Sequence, residues 1–252
     1  MNTTMSFQKK DLKNLSHQYR YFNFLSMLFI TIMLGTYVLA YKMVAIGKFI
    51  ESGGIFIFPI NYAIIDIISE VYGYHQAKKL IKQAFICCLF FATIVPLIAL
   101  LPAPENWPHQ SGYDYIFKNV FRFFFANTIG IIIGITINGN LISKWKIILK
   151  GKYFWLRSIG SSAIGELITS IIADILAFMG TAKFLGVLKL MLAIYSIKLL
   201  YAILLALPNS LIVIHLKLKE KIDLLDDNTT FNPFNINQNK KREQHVYISS
   251  VN

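Results

Sequence analysis

The stretch FPINYAIIDIISEVYGYHQAKK, residues 58–79, decides how this chain is read. Two carboxylates four residues apart, Asp66 and Glu70, stand in a run otherwise apolar enough to enter a bilayer. Ionisable groups at such depth are expensive and mark a functional site by default. Helical spacing puts Tyr62, Asp66 and Glu70 on one side, with Ser69 alongside, because residues three and four apart are neighbours. Two like charges so placed repel, and a low dielectric strengthens the repulsion. A nearby cation, a cationic or hydrogen-bond-donating ligand, or a shared proton should relieve it. The blander solution is a set of structural ion pairs to Lys42, Arg122 or Arg157, with Glu70 at the inner interface.

Composition extends that reading to the whole chain. Of 252 residues, 55% are hydrophobic, 14% aromatic and only 15% charged, against about a quarter charged in an ordinary soluble domain. The fold class expected is all-α, a polytopic integral membrane protein. A bilayer-crossing helix needs roughly 20 mostly apolar residues, and six segments answer to that: residues 24–45, 54–70, 80–101, 121–142, 154–179 and 190–216. The second is the weakest by hydropathy, since Pro59, Asn61, Asp66 and Glu70 interrupt it. The domain division that follows is a tail over 1–23, a six-helix domain over 24–216 and a flexible tail over 217–252.

Charge placement gives an orientation. Eighteen of the 25 Lys and Arg residues fall in the N-terminal tail, after the second span, after the fourth span and in the C-terminal tail. Basic flanks are retained on the cytoplasmic side, so six spans with both termini cytoplasmic are expected, in a bacterial inner membrane. The connection LPAPENWPHQSGYDYIFKN (101–119), with Trp107, Tyr113 and Tyr115, reads as an external interfacial loop. A net charge of +12 could suit nucleic acid, but the basic residues are dispersed over flanks and no nucleic-acid motif accompanies them. The expected partners are the lipid bilayer and a small solute, with no direct nucleic-acid binding; self-association or a coupling module is left open. The first hydrophobic run follows more than twenty largely polar residues and is long enough to span, so it reads as a retained helix and not a cleaved signal.

The remaining polar residues within the spans carry the functional argument. In RSIGSSAIGELITSIIADILAFMG (157–180), Ser158, Ser162, Glu166, Ser170 and Asp174 recur every four residues, with Thr169 beside them. Glu166 lies nine residues from Arg157, about 13 Å at the helical rise, which places it near the middle of the bilayer, with Lys198 as a candidate partner. Gly160, Ser161 and Gly165 read as small residues that permit close helix packing. On the fourth span Arg122 is a snorkelling residue or a ligand, Asn127 lies within the apolar stretch, and Asn138 and Asn140 read as helix-ending residues. Adjacent Cys87 and Cys88 read as packing residues, since neighbouring cysteines make a poor structural disulfide. The candidate binding set is therefore Tyr62, Asp66, Glu70, Arg122, Asn127, Ser162 and Glu166, with no catalytic residue, cofactor or metal called for.

FPINYAIIDIISEVYGYHQAKK resembles the pattern of the queuosine precursor transporters, a vitamin-uptake-like family, through Phe58, Pro59, Asp66, Glu70, Val71, Tyr72, Gly73, Lys78 and Lys79. NGNLISKWK (138–146) and LRSIGSSAIGE (156–166) are similar to two further family segments. The resemblance covers about residues 24–216. It implies a six-helix fold similar to the substrate-binding components of energy-coupling-factor transporters, and import of 7-deazaguanine compounds such as 7-cyano-7-deazaguanine, its aminomethyl derivative, or queuine. The chain departs from the family at Thr169, where Asp is common. On the implied solute, Glu166 or Glu70 would meet the paired donors of the guanine-like edge, Asp66 a further donor or a proton, Asn127 the carbonyl, and Tyr62 would supply an aromatic wall. The alternatives are a binding subunit for another solute coupled to a separate ATPase, since no P-loop is present, and an intramembrane enzyme, for which neither a HExxH pattern nor a nucleophile elbow is found.

Overall fold

The structure is a computed structural model, and it describes residues 20–46, 49–118, 120–178 and 184–224. Helix α1 (Arg20–Leu39) leads into a small antiparallel hairpin of β1 (Met43–Ile46) and β2 (Phe49–Ser52), in which Met43 pairs with Ser52 and Ile46 with Phe49. A 3-10 turn (Gly53–Phe56) follows, its first turn capped by Ser52 Oγ, which accepts from the Gly54 amide at 3.2 Å. Next come α2 (Phe58–Tyr72), α3 (Tyr74–Ala99), a short α4 (Gln110–Phe117), α5 (Val120–Ile148), α6 (Phe154–Phe178) and α7 (Phe184–Glu220). Pro59 sits in the first turn of α2, where its missing amide costs nothing. Gly73, at φ 82°, supplies the left-handed residue that separates α2 from α3.

Six long helices run alternately up and down. The start of α1 meets the end of α7 through the Tyr21 amide, which donates to Glu220 Oε1 at 2.9 Å. The ends of α2, α5 and α7 and the start of α6 gather at the same pole through Glu70, Lys146, Lys217 and Arg157. Helix α2 occupies the centre: every residue of it except Ile60 is buried. The helices around it turn large apolar side chains outward, among them Phe24 on α1, Phe90 on α3, Ile129 on α5 and Leu207 on α7. Apolar outside and charged inside is the arrangement that lipid, not water, rewards. Among the described residues five helices are long and apolar enough to cross a membrane: α1, α2 with its 3-10 entry, α3, and the stretches Asn127–Ile148 of α5 and Ile194–Glu220 of α7. The fifth segment expected from the sequence is present as α6, 25 residues long, but this most polar-striped helix is not among the five.

Close packing of α5 on α6 fixes the polar stripe of α6 against α2. A Cβ at Gly134 would overlap the Thr169 hydroxyl and come within 2.5 Å of the Gly165 carbonyl; one at Gly165 would come within 2.7 Å of the Gly134 carbonyl and 2.8 Å of the Tyr62 ring. Gly160 makes room for the Trp145 ring in the same way. The expected role of Gly160 and Gly165 in close helix approach is thus what the packing requires.

The boundaries differ from the sequence expectation where local chemistry overrides hydropathy. Residues 43–46 and 49–52, the first of them read partly as the end of the first span, form the hairpin, because β-branched Val44, Ile46 and Ile50 and aromatic Phe49 favour paired strands. Helix α3 begins six residues earlier than the hydropathy run, directly after Gly73, and α5 continues six residues beyond Ile142. Helix α7 likewise extends past Leu216, after which residues 221–224 lie across the end of the bundle with Ile222 buried. Residues 1–19 and 225–252, the bulk of both expected tails, lie outside the described residues.

Candidate functional site

Asp66 and Glu70, one helical turn apart on α2, enter two different environments. Asp66 is fully buried and held by three neutral donors. Asn138 Nδ2 of α5 donates to its Oδ1 at 2.7 Å, while Ser158 Oγ and Ser162 Oγ of α6 donate to its Oδ2 at 2.5 and 3.2 Å. Glu70 instead faces cations. Arg157 Nη1 lies 2.7 Å from its Oε2 and Lys217 Nζ 2.7 Å from its Oε1, with Lys146 Nζ 3.9 Å away. Lys146 donates to the Glu70 carbonyl at 2.7 Å, to Asp223 Oδ1 at 2.6 Å and to the Leu224 carbonyl at 2.7 Å, so residues 223 and 224 close this knot from outside the bundle. Burial alone would raise the Asp223 carboxyl, but Lys146 and Lys217 outweigh it and hold the group below the usual carboxylate range.

Further along α2 a narrow crevice opens between α2, α6 and α7, with room for little more than a water molecule. Tyr62 and Asp66 line it from α2, Ser158, Ser162 and Glu166 from α6, and Lys198 and Asn209 from α7. Glu166 is buried, its Oε2 3.2 Å from Lys198 Nζ, and its Oε1 has no hydrogen-bond partner among the described residues. Lys198 also donates to Ser170 Oγ at 3.1 Å and stands 5.6 Å from the centre of the Phe58 ring, a cation–π distance. The Tyr62 hydroxyl is engaged with Thr169 Oγ1 at 2.6 Å, which leaves its ring to form the wall. The crevice therefore gathers a carboxylate oxygen, an ammonium, hydroxyls, an amide and aromatic surface in one place, and it must widen before a ring-sized solute enters.

Of the residues singled out in the sequence, Tyr62, Asp66, Ser162 and Glu166 come together in this crevice. Glu70 does not line it and belongs to the cationic knot with Arg157, the partner anticipated for the structural alternative. Asn127 is half-buried on α5, away from the crevice lining, and the side chains of Arg122 and Asp174 lie outside the described residues. Asn138, read as a helix end, is instead the α5 residue that touches Asp66, because α5 runs to Ile148 and places position 138 inside the bundle. Asn209 was not singled out at all. Among the described residues no group of three or more His, Cys, Asp or Glu is arranged to hold a metal ion. Cys87 and Cys88 are both free, the first exposed and the second buried.

A bundle with apolar side chains turned outward and a charged crevice beside its buried central helix is that of an integral membrane protein. The family model described as "Putative vitamin uptake transporter" matches residues 52–213, and the chain belongs to that family. No curated protein and no solved structure matches the chain.

Proposed function

We propose that this chain imports a 7-deazaguanine precursor of queuosine across a bacterial inner membrane, with both termini on the cytoplasmic side. The observation that carries the reading is the crevice itself. Its Glu166 Oε1 is an acceptor without a hydrogen-bond partner among the described residues, held beside a cation and aromatic rings. A guanine-like edge offers an N–H and an amino group side by side, which is the complement of a carboxylate. The planar ring finds apolar and aromatic wall at Pro59 and Tyr62, and Lys198 stands where it can release Glu166 to the solute and turn to the ring carbonyl. The knot at Glu70, with 18 of 25 basic residues sharing its expected side of the membrane, supports assigning that pole to the cytoplasm.

The test is uptake of radiolabelled 7-cyano-7-deazaguanine, 7-aminomethyl-7-deazaguanine and queuine by cells unable to make queuosine. The wild-type chain is expected to restore uptake of at least one compound, and Glu166→Gln and Asp66→Asn to lower it at least tenfold with the protein still present in the membrane. Absence of wild-type uptake of all three would reject the substrate class; unchanged uptake by Glu166→Gln would remove Glu166 from the site. Chemical turnover by the purified protein, without vesicles, would overturn transport as the activity.

A further inference from the structure

The charged side chains that line the crevice among the described residues are Asp66, Glu166 and Lys198. One ammonium thus faces two carboxylates, and it is committed to Glu166 at 3.2 Å and to Ser170 Oγ at 3.1 Å. Asp66, fully buried, is left with the neutral side chains of Asn138, Ser158 and Ser162. A carboxylate out of water is compensated by a cation or takes up a proton. The knot one turn away holds three cations against two carboxylates, but Arg157, Lys146 and Lys217 are bonded to Glu70, Asp223 and main-chain carbonyls. Lys217 and Asp223 are also part-exposed there, where solvent ions screen the surplus.

Two observations favour a metal cation over a proton. The first is the donor set. Each serine hydroxyl that donates to Asp66 keeps its lone pairs, and Asn138 Oδ1 is buried with no hydrogen-bond partner among the described residues. A half-turn of that amide presents Oδ1 where Nδ2 now stands, 2.7 Å from the Asp66 carboxylate. Carboxylate, hydroxyl and amide oxygens together are the ligands a hard cation takes, whereas a proton needs one acceptor and would leave Asn138 Oδ1 stranded. The second is size: Asp66, Ser158 and Ser162 line a space with room for little more than a water molecule, which a bare sodium ion fills and a larger cation does not.

We propose that Asp66, Asn138, Ser158 and Ser162 form a binding site for one monovalent cation of sodium size, and that this ion loads together with the solute. A single positive charge is what the crevice lacks. Coupling follows from space, since the crevice must part to admit a ring-sized solute and the same parting opens the path of the ion. The coupling rests on the reading of the chain as an importer; the site does not.

The experiment follows thermal unfolding of the purified full-length chain in nanodiscs at neutral pH, with sodium chloride exchanged for choline chloride at constant ionic strength. Sodium should raise the wild-type midpoint along a saturating curve, because a ligand of the folded state stabilises it by mass action. Asp66→Asn should abolish that dependence, and Ser162→Ala should raise the half-saturating sodium concentration about tenfold, the loss of one contact to a charged group. Equal wild-type midpoints in sodium and choline overturn the site without any variant having to fold, and equal curves in sodium and potassium overturn its size. An unchanged sodium curve in Asp66→Asn overturns it as well, as does a midpoint that answers to pH and not to sodium, which assigns Asp66 a proton. None of these measurements uses the solute, so each leaves the importer reading standing. The coupling is read in the uptake assay, where replacing external sodium by choline should lower wild-type uptake at least tenfold; unchanged uptake overturns the coupling, and absence of uptake in either salt overturns the importer reading and the coupling with it, but not the site.

Discussion

Glu70 shows how one carboxylate can be structural while its neighbour one turn away is available to a ligand. Its two oxygens meet Arg157 and Lys217 at 2.7 Å each, with Glu70 itself 1% exposed. Glu70→Gln keeps the shape but strips the buried Arg157 of its carboxylate and leaves Lys217 with Asp223 alone, a loss of about 3–5 kcal/mol. Thermal unfolding in detergent should show the variant melting far below the wild type; an unchanged midpoint would mean the knot contributes nothing. Asp66 is different in kind, since its three donors are neutral and none is stranded as a charge when it is replaced. The sequence made Asp66, Glu70 and Glu166 legible as intramembrane carboxylates, because charge in an apolar run needs no structure to be noticed. It could not say which of them met cations, since Arg157 and Lys217 lie 87 and 147 residues from Glu70 along the chain. Asn138 and Asn209 escaped for a related reason: a neutral amide in a helix carries no signal until the face it occupies is known.

At the scale of elements, the α5–α6 contact and the α2–α7 crevice are two halves of one arrangement. Small residues bring α5 and α6 together so that Ser158, Ser162 and Asn138 converge on Asp66 from both helices. Gly134→Ala places a methyl group against Thr169, Gly165 and Tyr62, and overpacking of this kind costs about 1–3 kcal/mol. Gly112→Ala on α4, where a Cβ meets nothing within 4 Å, should be neutral or stabilising by up to about 1 kcal/mol. Paired melting curves test this contrast, and equal midpoints would refute the packing argument. Helix positions were readable from hydropathy, whereas their ends were not: Gly73 and the hairpin at 43–52 obey turn and strand chemistry that a hydropathy window averages away. The Thr169 departure also becomes intelligible at this scale. The hydroxyl bonds Tyr62 and lies at the helix crossing, a place filled by backbone and ring.

The molecule as a whole is a ring of lipid-facing helices around α2, closed at one pole by charge. Residues 223 and 224 belong to that closure, although the sequence assigns them to a flexible tail, because Asp223 joins Lys146 and Lys217 at 2.6 and 3.0 Å. Since the folded carboxyl sits below its ordinary value of about 3.9, its contribution is fully present above that value and is lost as pH falls through the depressed one. Protease access to the segment after Glu220 should therefore stay constant from neutral pH down to about 4 and rise below it; Asp223→Asn should show high access throughout. A flat, low profile in Asp223→Asn would exclude the latch. The central position of α2 also has a consequence for biosynthesis. Its carboxylates emerge from the ribosome long before Asn138, Arg157 or Lys217 exist, and 147 residues must follow Glu70 before Lys217 arrives at it. Until then α2 is a poor tenant of the bilayer, so maturation runs backward along the chain, with α7 licensing the much earlier α2 to settle.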